Sequence, residues 1–174
     1  MGNRGKIRTL SVALVAIVLG SLFQAPATAH RGHTAAQEQL FDLINAGRKA
    51  RRKPANVEHS VIQRLEQGHA NWMARRRVMS HAGYPRRRTK IQNSDGGISV
   101  MCENVAYSGG RRSAAMKTIY RLWVRSRVHN RCMFRRGIRS ADVGVARSAD
   151  GIWYAAFISA QDRNPGCNVN DPCR

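Results

Sequence analysis

The stretch that decides the fold class is residues 143–159, VGVARSADGIWYAAFIS. Two largely apolar runs, residues 143–147 and 152–159, flank the segment Ser148-Ala149-Asp150-Gly151. An Asp-Gly pair between two such runs is typical of a β-hairpin turn. The sequence therefore predicts an antiparallel hairpin late in the chain.

Amphipathic helices are predicted upstream of this hairpin. Apolar residues recur mostly every three or four positions over residues 35–51, 57–78 and 113–125. A short strand is predicted at residues 102–107, and loops are predicted at 80–100 and 131–141. Helices first and an antiparallel sheet late predict an α+β fold.

The composition is strongly basic but that of a folded domain. The 174 residues include 30 Lys and Arg against 10 Asp and Glu, a formal net charge of +20. Such a chain attracts phosphates, carboxylates and anionic surfaces. Because 43% of the residues are hydrophobic, a disordered basic tail is excluded.

Residues 1–29 have the pattern of a secretory signal peptide. Arg4, Lys6 and Arg8 precede a largely apolar run at residues 10–23, and Ala27-Thr28-Ala29 has the form of a cleavage site. The run is shorter than the roughly 20 residues that cross a membrane. We therefore predict a secreted protein, extracellular or periplasmic, that starts at His30 and has no genomic nucleic acid as partner.

The four cysteines agree with export. An even number in an oxidising compartment predicts two disulfides. Cys167 with Cys173 is the most local pairing and would staple the tail, residues 163–174, which leaves Cys102 with Cys132. A four-thiolate zinc site is the alternative, although the sequence contains no Cys-x-x-Cys pair.

Short motifs stand in a fixed order before the hairpin: Asn45-x-x-Arg48, Ser80-His81, Cys102-Glu103-Asn104-Val105-Ala106 and Trp123-x-x-Ser126-x-x-His129-Asn130. Val143-Gly144-Val145-Ala146 and Trp153-Tyr154 follow on the hairpin itself. This order resembles the CAP superfamily (the SCP domain of cysteine-rich secretory proteins, antigen five and pathogenesis-related proteins) in its bacterial single-domain form. The resemblance implies a three-layer α/β/α sandwich with a central antiparallel sheet over residues 30–162.

The resemblance also implies a cleft lined by two histidines and acidic residues. His81 matches the family's Ser-His histidine, Glu103 the acid of its Gly-Glu-Asn motif, and His129 the histidine after the third helix. Two positions depart from the pattern. Cys102 stands where the family usually has Gly, and Ser126 stands where many eukaryotic members have a second acid, so the family's metal tetrad lacks one ligand.

Two chemistries are open to His81, His129 and Glu103. They could hold a zinc ion with an open water position, or form a hydrogen-bonded polar cluster in which Glu103 orients one imidazole. The missing fourth ligand favours the cluster, with no cofactor required. Ser126 activated by His129 is a weaker alternative, because no oxyanion hole can be identified.

A disulfide between Cys102 and Cys132 would hold this cleft in register. It would tie the strand of Glu103 to the segment that carries His129. The closed loop of about 30 residues would stabilise the fold by roughly 3–4 kcal/mol.

Arginine clusters surround the cleft motifs. We predict an arginine rim that recruits an anionic cell-surface polymer or lipid headgroup. Its members are Arg86, Arg87, Arg88, Arg111, Arg112 and Arg127. A compositional preference for Arg on every solvated face is the equal alternative.

The sequence thus predicts a secreted, non-catalytic protein that binds an anionic or lipidic extracellular ligand through the cleft of His81, Glu103, Ser126 and His129. A metal-dependent hydrolase using the same cleft is the alternative. A cationic antimicrobial or nucleic-acid-capturing protein follows from charge alone. The oligomeric state is left open.

Overall fold

The computed structural model describes residues 32–94 and 98–162. The predicted signal peptide and the predicted Cys167–Cys173 disulfide lie outside these residues. No helix in the two described segments is long and apolar enough to cross a membrane. The elements, in chain order, are α1 (Ala35–Ala50), β1 (Val57–Glu58), α2 (Ser60–Arg76), α3 (Tyr84–Ser94), β2 (Ile98–Ser108), α4 (Arg112–Arg125), α5 (Arg127–Phe134), β3 (Ile138–Arg147) and β4 (Trp153–Asp162).

One sheet with strand order β1-β3-β4-β2 forms the middle of the molecule. The predicted hairpin is confirmed as β3 and β4, and its turn is closed by the Ser148 N–H, which donates to the Ile152 carbonyl at 2.8 Å. β2 pairs antiparallel with the other edge of β4. The sheet is antiparallel except at β1, whose two residues pair parallel with β3.

Alternation along β4 builds the three predicted layers, because successive side chains of a strand point to opposite faces. Ala155 and Phe157 pack against α1, α4 and α5, whereas Ala156 and Ile158 pack against α2 and α3. The α/β/α sandwich is thereby confirmed.

Both predicted loops were wrong, because each contains a helix. α3 lies within residues 80–100, and its Pro85 stands in the first turn, where the missing N–H costs no helical hydrogen bond. Its one buried residue is Ile91, so no apolar period shows in the sequence. α5 ends within residues 131–141 and buries three consecutive residues, Cys132, Met133 and Phe134, instead of residues at helical spacing.

The Asn45-x-x-Arg48 motif fixes the end of α1 to the rest of the fold. Asn45 Oδ1 accepts from the Asn56 N–H at 2.8 Å. The Arg48 side chain, 1% exposed, donates to the carbonyls of Pro54, Met133 and Ile138 at 2.7, 2.8 and 2.9 Å. Arg48 therefore ties the α1–β1 connection to the end of α5 and the start of β3.

Gly144 allows α2 to lie directly on β3. A Cβ at this position would stand 2.1 Å from the carbonyl carbon and oxygen of Glu66. Real Cβ contacts are never this short, so the close approach requires Gly. It places the middle of α2, with Glu66, against the sheet.

Candidate functional site

Glu103 is the centre of a polar network on the face of the sheet covered by α2 and α3. Its side chain is 1% exposed. Oε2 lies 2.7 Å from Nδ1 of His81, and Oε1 accepts from Nε of Arg87 at 3.2 Å and also from its Nη2. Both carboxylate oxygens are therefore held in place.

His81 presents this network to solvent. It lies between α2 and α3, and its side chain is 52% exposed. Because Nδ1 is fixed on the buried carboxylate of Glu103, the ring cannot turn freely, and Nε2 lies on the edge remote from Glu103. The result is an oriented imidazole at the protein surface.

Glu66 and Arg87 complete the network, and neither role was predicted. Glu66 is fully buried, and its Oε1 accepts from Nε of Arg87 at 3.1 Å. Burial raises the pKa of Glu66 well above its usual value, the charge of Glu103 raises it further, and Arg87 opposes both effects. Glu66 therefore keeps its proton to higher pH than an ordinary glutamate.

The signal for Glu66 is visible in hindsight. It stands on the same stripe of α2 as the buried residues Ile62, Ala70 and Met73, at helical spacing. An acid within an apolar stripe is rarely buried unless it has a partner. Nothing local identifies that partner as Arg87, because it lies in a different helix.

His69 supports the backbone next to His81. It is buried, its ring stacks on Trp72 at 5.7 Å between centroids, and Nε2 lies 2.6 Å from the carbonyl oxygen of Ser80. Burial lowers the pKa of His69, and the charge of Arg87 lowers it further. His59 lies outside the network and caps the N-terminus of α2.

His129 belongs to the same electrostatic neighbourhood as His81. Burial lowers the pKa of His129, and interaction with His81 lowers it further. The Asn104 side chain donates to the His129 carbonyl at 3.0 Å, which fixes the start of α5 to β2. Ser126 caps α5: its Oγ accepts from the His129 N–H at 3.5 Å.

The predicted Cys102–Cys132 disulfide is confirmed, with 5.8 Å between the Cα atoms. Successive side chains of β2 point to opposite faces of the sheet, so Cys102, Glu103 and Asn104 contact different helical layers. Cys102 and Asn104 reach α5, while Glu103 between them points to the opposite face and Arg87. Cys132 lies within α5 and not in the predicted loop, so the disulfide joins a strand to the helix that carries His129.

An open pocket of about 390 Å³ adjoins the network. Leu65, Gly68 and Trp72 supply an apolar wall, and His69 and Arg87 supply a polar end. Such a lining suits a ligand with an apolar part beside an anionic or polar head.

No protein-family model matches the chain, and no curated protein matches it either. Solved structures do match. An outer surface protein of Borrelia burgdorferi has a TM-score of 0.58 at 12% identity and covers 74% of this chain and 93% of its own. A cysteine-rich secretory protein of Staphylococcus aureus has a TM-score of 0.57 at 15% identity and covers 73% and 39%. An extracellular SCP-domain protein of Bacillus anthracis has a TM-score of 0.51 at 17% identity and covers 71% and 40%. The chain has the CAP/SCP fold.

On this CAP/SCP fold the predicted rim residues do not form one group. Arg86 and Arg88 are exposed on α3, but Arg87 is only 11% exposed and is bound to both carboxylates. Arg111 and Arg112 follow the end of β2 at Ser108, about 17 Å along the strand from Glu103. Arg127 lines a separate depression beside the Cys102–Cys132 disulfide.

The residues that the resemblance expects to hold zinc are not arranged with a free Glu103 oxygen. Both oxygens of Glu103 are engaged by His81 and Arg87, so a metal would have to displace one of them. Within residues 32–94 and 98–162, no three His, Cys, Asp or Glu side chains are grouped to hold a metal ion. The contacts of His81 and Glu103 are those of a hydrogen-bonded cluster.

Proposed function

We propose that this protein is a secreted CAP/SCP-fold binding protein that takes an anionic polymer or lipid headgroup of a cell surface at the His81 cleft. The observation that carries the proposal is the His81 side chain, half exposed and oriented by a carboxylate that is itself buried. A side chain held in this way is pre-organised for contact with a ligand.

The charge of the cleft favours an anion. Arg87 neutralises Glu103, and burial beside Glu103 raises the pKa of Glu66, so Glu66 carries less negative charge than an ordinary glutamate. Arg86 and Arg88 then add positive charge that these acids do not cancel. The apolar wall of the adjoining pocket accommodates the carbon chain of a lipid or polymer.

Export is supported by two observations. Residues 1–29 have the order of a signal peptide: bases, an apolar run and an Ala-x-Ala site. The similar structures are described as an outer surface protein, a cysteine-rich secretory protein and an extracellular protein. Fractionation of cells that express the full chain tests this part of the proposal.

Binding to dextran sulfate, with neutral dextran as reference, tests the cleft. We expect His81→Ala combined with Arg88→Gln to weaken binding about tenfold, a loss of about 1.4 kcal/mol. The control, Arg64→Gln with Arg76→Gln, removes at least as much charge from two exposed positions of α2 and should shift binding less than about twofold. Equal losses of affinity in both variants would show that binding depends only on the total charge of the protein.

Metal content and turnover, measured in the same preparations, test the hydrolase alternative. The purified protein is assayed for zinc and for hydrolysis of ester and peptide substrates. Stoichiometric zinc together with turnover that His129→Ala abolishes would replace the binding proposal with the metal-dependent hydrolase. The binding proposal expects neither.

A further inference from the structure

We propose a second anion site, on the opposite face of the sheet from the His81 cleft, that binds ligands with clustered phosphate groups. It is a pocket of about 580 Å³ between the end of α1 and the α5–β3 connection, called the basic pocket below. Among the lining residues that the structure describes, seven of ten are Arg or Lys and none is Asp or Glu.

Two separate segments supply these cations. The end of α1 contributes Arg48, Arg51, Arg52 and Lys53. The α5–β3 connection contributes Arg135 and Arg136, and the start of β3 contributes Arg139. Residues that are distant in sequence thus converge on one cavity, which a uniform scatter of arginine over solvated faces does not explain.

Arg48 forms a rigid, positively charged floor. Its three described hydrogen bonds go to the carbonyls of Pro54, Met133 and Ile138, and no described carboxylate neutralises it. A buried guanidinium paired only with carbonyls projects an uncancelled charge into its surroundings. The same three bonds lock the two walls of the pocket together before any ligand arrives.

The walls are also pre-organised. The Arg51 guanidinium lies 4.0 Å from the centroid of the Phe134 ring and donates from Nη1 to the Gly47 carbonyl at 2.9 Å. Arg52 has a φ of +54°, a conformation that usually selects Gly at a helix end. The chain keeps a cation there instead.

Phosphate is the chemistry that this arrangement fits best. Arg51, Arg52, Lys53, Arg135 and Arg136 form no ion pair with any acid of the described segments. Arginine forks match phosphate oxygens in pairs, and lysine adds a point charge. The cavity is much larger than one phosphate group, and its several cations call for a ligand with several negative charges.

Calorimetric titration of the full protein with inorganic tripolyphosphate tests the basic pocket. The variant Arg52→Gln/Arg135→Gln/Arg136→Gln should weaken binding at least about tenfold. The control Arg64→Gln/Arg75→Gln/Arg76→Gln removes the same charge from exposed positions of α2, across the sheet, and should change it less than about twofold. Glutamine removes the charge while keeping a polar side chain of similar helix propensity, and circular dichroism verifies the fold of each variant.

Each outcome decides. Selective loss in the pocket variant supports the proposal, whereas equal loss in both variants, or no measurable binding, overturns it. Citrate that binds as tightly as tripolyphosphate overturns the assignment to phosphate. If the protein sediments with phosphatidylcholine vesicles that contain cardiolipin but not with phosphatidylcholine alone, and the pocket variant does not sediment with either, the phosphate groups belong to a lipid. Phosphate binding that persists in the His81→Ala/Arg88→Gln variant separates this site from the proposed function of the cleft.

Discussion

The two faces of the sheet are packed differently. The face under α1, α4 and α5 carries one continuous apolar cluster, with Leu40, Ile119, Trp123 and Phe157 fully buried. The face under α2 and α3 carries two smaller clusters. On β2 these include Val100 and Val105 respectively, and Glu103 lies between them.

The two faces of the sheet differ in what their buried side chains contribute to stability. Burial of apolar surface stabilises the first face throughout. On the second face, burial of Glu66, Arg87 and Glu103 incurs a desolvation cost that apolar side chains of similar size would not. A core interrupted in this way supports the site proposed on the α2–α3 face, where the His81 side chain is half exposed.

The largest effect is expected from Arg87→Leu, which breaks the polar network. The buried Glu103 carboxylate would lose its cation and the buried Glu66 side chain its hydrogen-bond donor, so the free energy of unfolding at neutral pH should fall by about 3–5 kcal/mol. Urea denaturation measures the change. The neighbouring exposed change Arg86→Gln should stay within about 0.5 kcal/mol of wild type. If both variants unfold alike, the network does not distinguish the two faces.

Removing the Cys102–Cys132 disulfide should lower stability through the face of the sheet covered by α1, α4 and α5. Cys102→Ala with Cys132→Ala releases a loop whose ends are 30 residues apart, and the expected loss is about 3–4 kcal/mol. Thermal unfolding of the variant should match that of the reduced wild type. His129 should also lose its fixed position, which would appear as a changed imidazole NMR signal. Unaltered unfolding would show that β2 and α5 are held by apolar packing alone.

The close approach of α2 to the sheet depends on Gly144. Gly144→Ala places a Cβ against the Glu66 backbone, and overpacking of this kind should cost about 2–3 kcal/mol. Gly68→Ala changes a residue of α2 itself, and the added Cβ would have no neighbouring atom within 4 Å. It should stabilise by roughly 0.8–1 kcal/mol, because Ala is the better helix former. A Gly144→Ala protein as stable as wild type would show that α2 can move away from the sheet.

The smallest effect concerns the pH dependence of stability. Glu66 has a raised pKa in the folded state, so between the unfolded and folded pKa values the folded state binds more protons. Its contribution to stability is therefore full below the unfolded pKa and is lost as pH rises through the folded pKa. Glu66→Gln resembles the protonated side chain and should flatten this decline, measured by urea midpoints across pH. A wild-type midpoint that rises with pH through the same window would contradict the assignment.

Much of the architecture could be predicted from local sequence signals. The Asp-Gly pair between two apolar runs identified the β3–β4 hairpin. Apolar residues recurring every three or four positions identified α1, α2 and α4. α3 and α5 escaped because a short helix that buries one residue, or several consecutive ones, shows no such period. An ordered set of motifs pointed to His81 and Glu103, which the structure brings into contact, and to His129 on α5. The cysteine count left Cys102 to pair with Cys132.

Only the folded chain determines which arginines are paired with acids and which are exposed to solvent. Residues Arg86, Arg87 and Arg88 are consecutive and identical in sequence, yet Arg87 faces Glu103 and Glu66 while its neighbours face solvent. The partners of Arg87 come from α2 and β2, and the basic pocket joins the end of α1 to residues far along the chain. Sequence fixes the number and order of charges, because these are local properties. Their pairing depends on which distant elements pack together, and only the folded chain determines that.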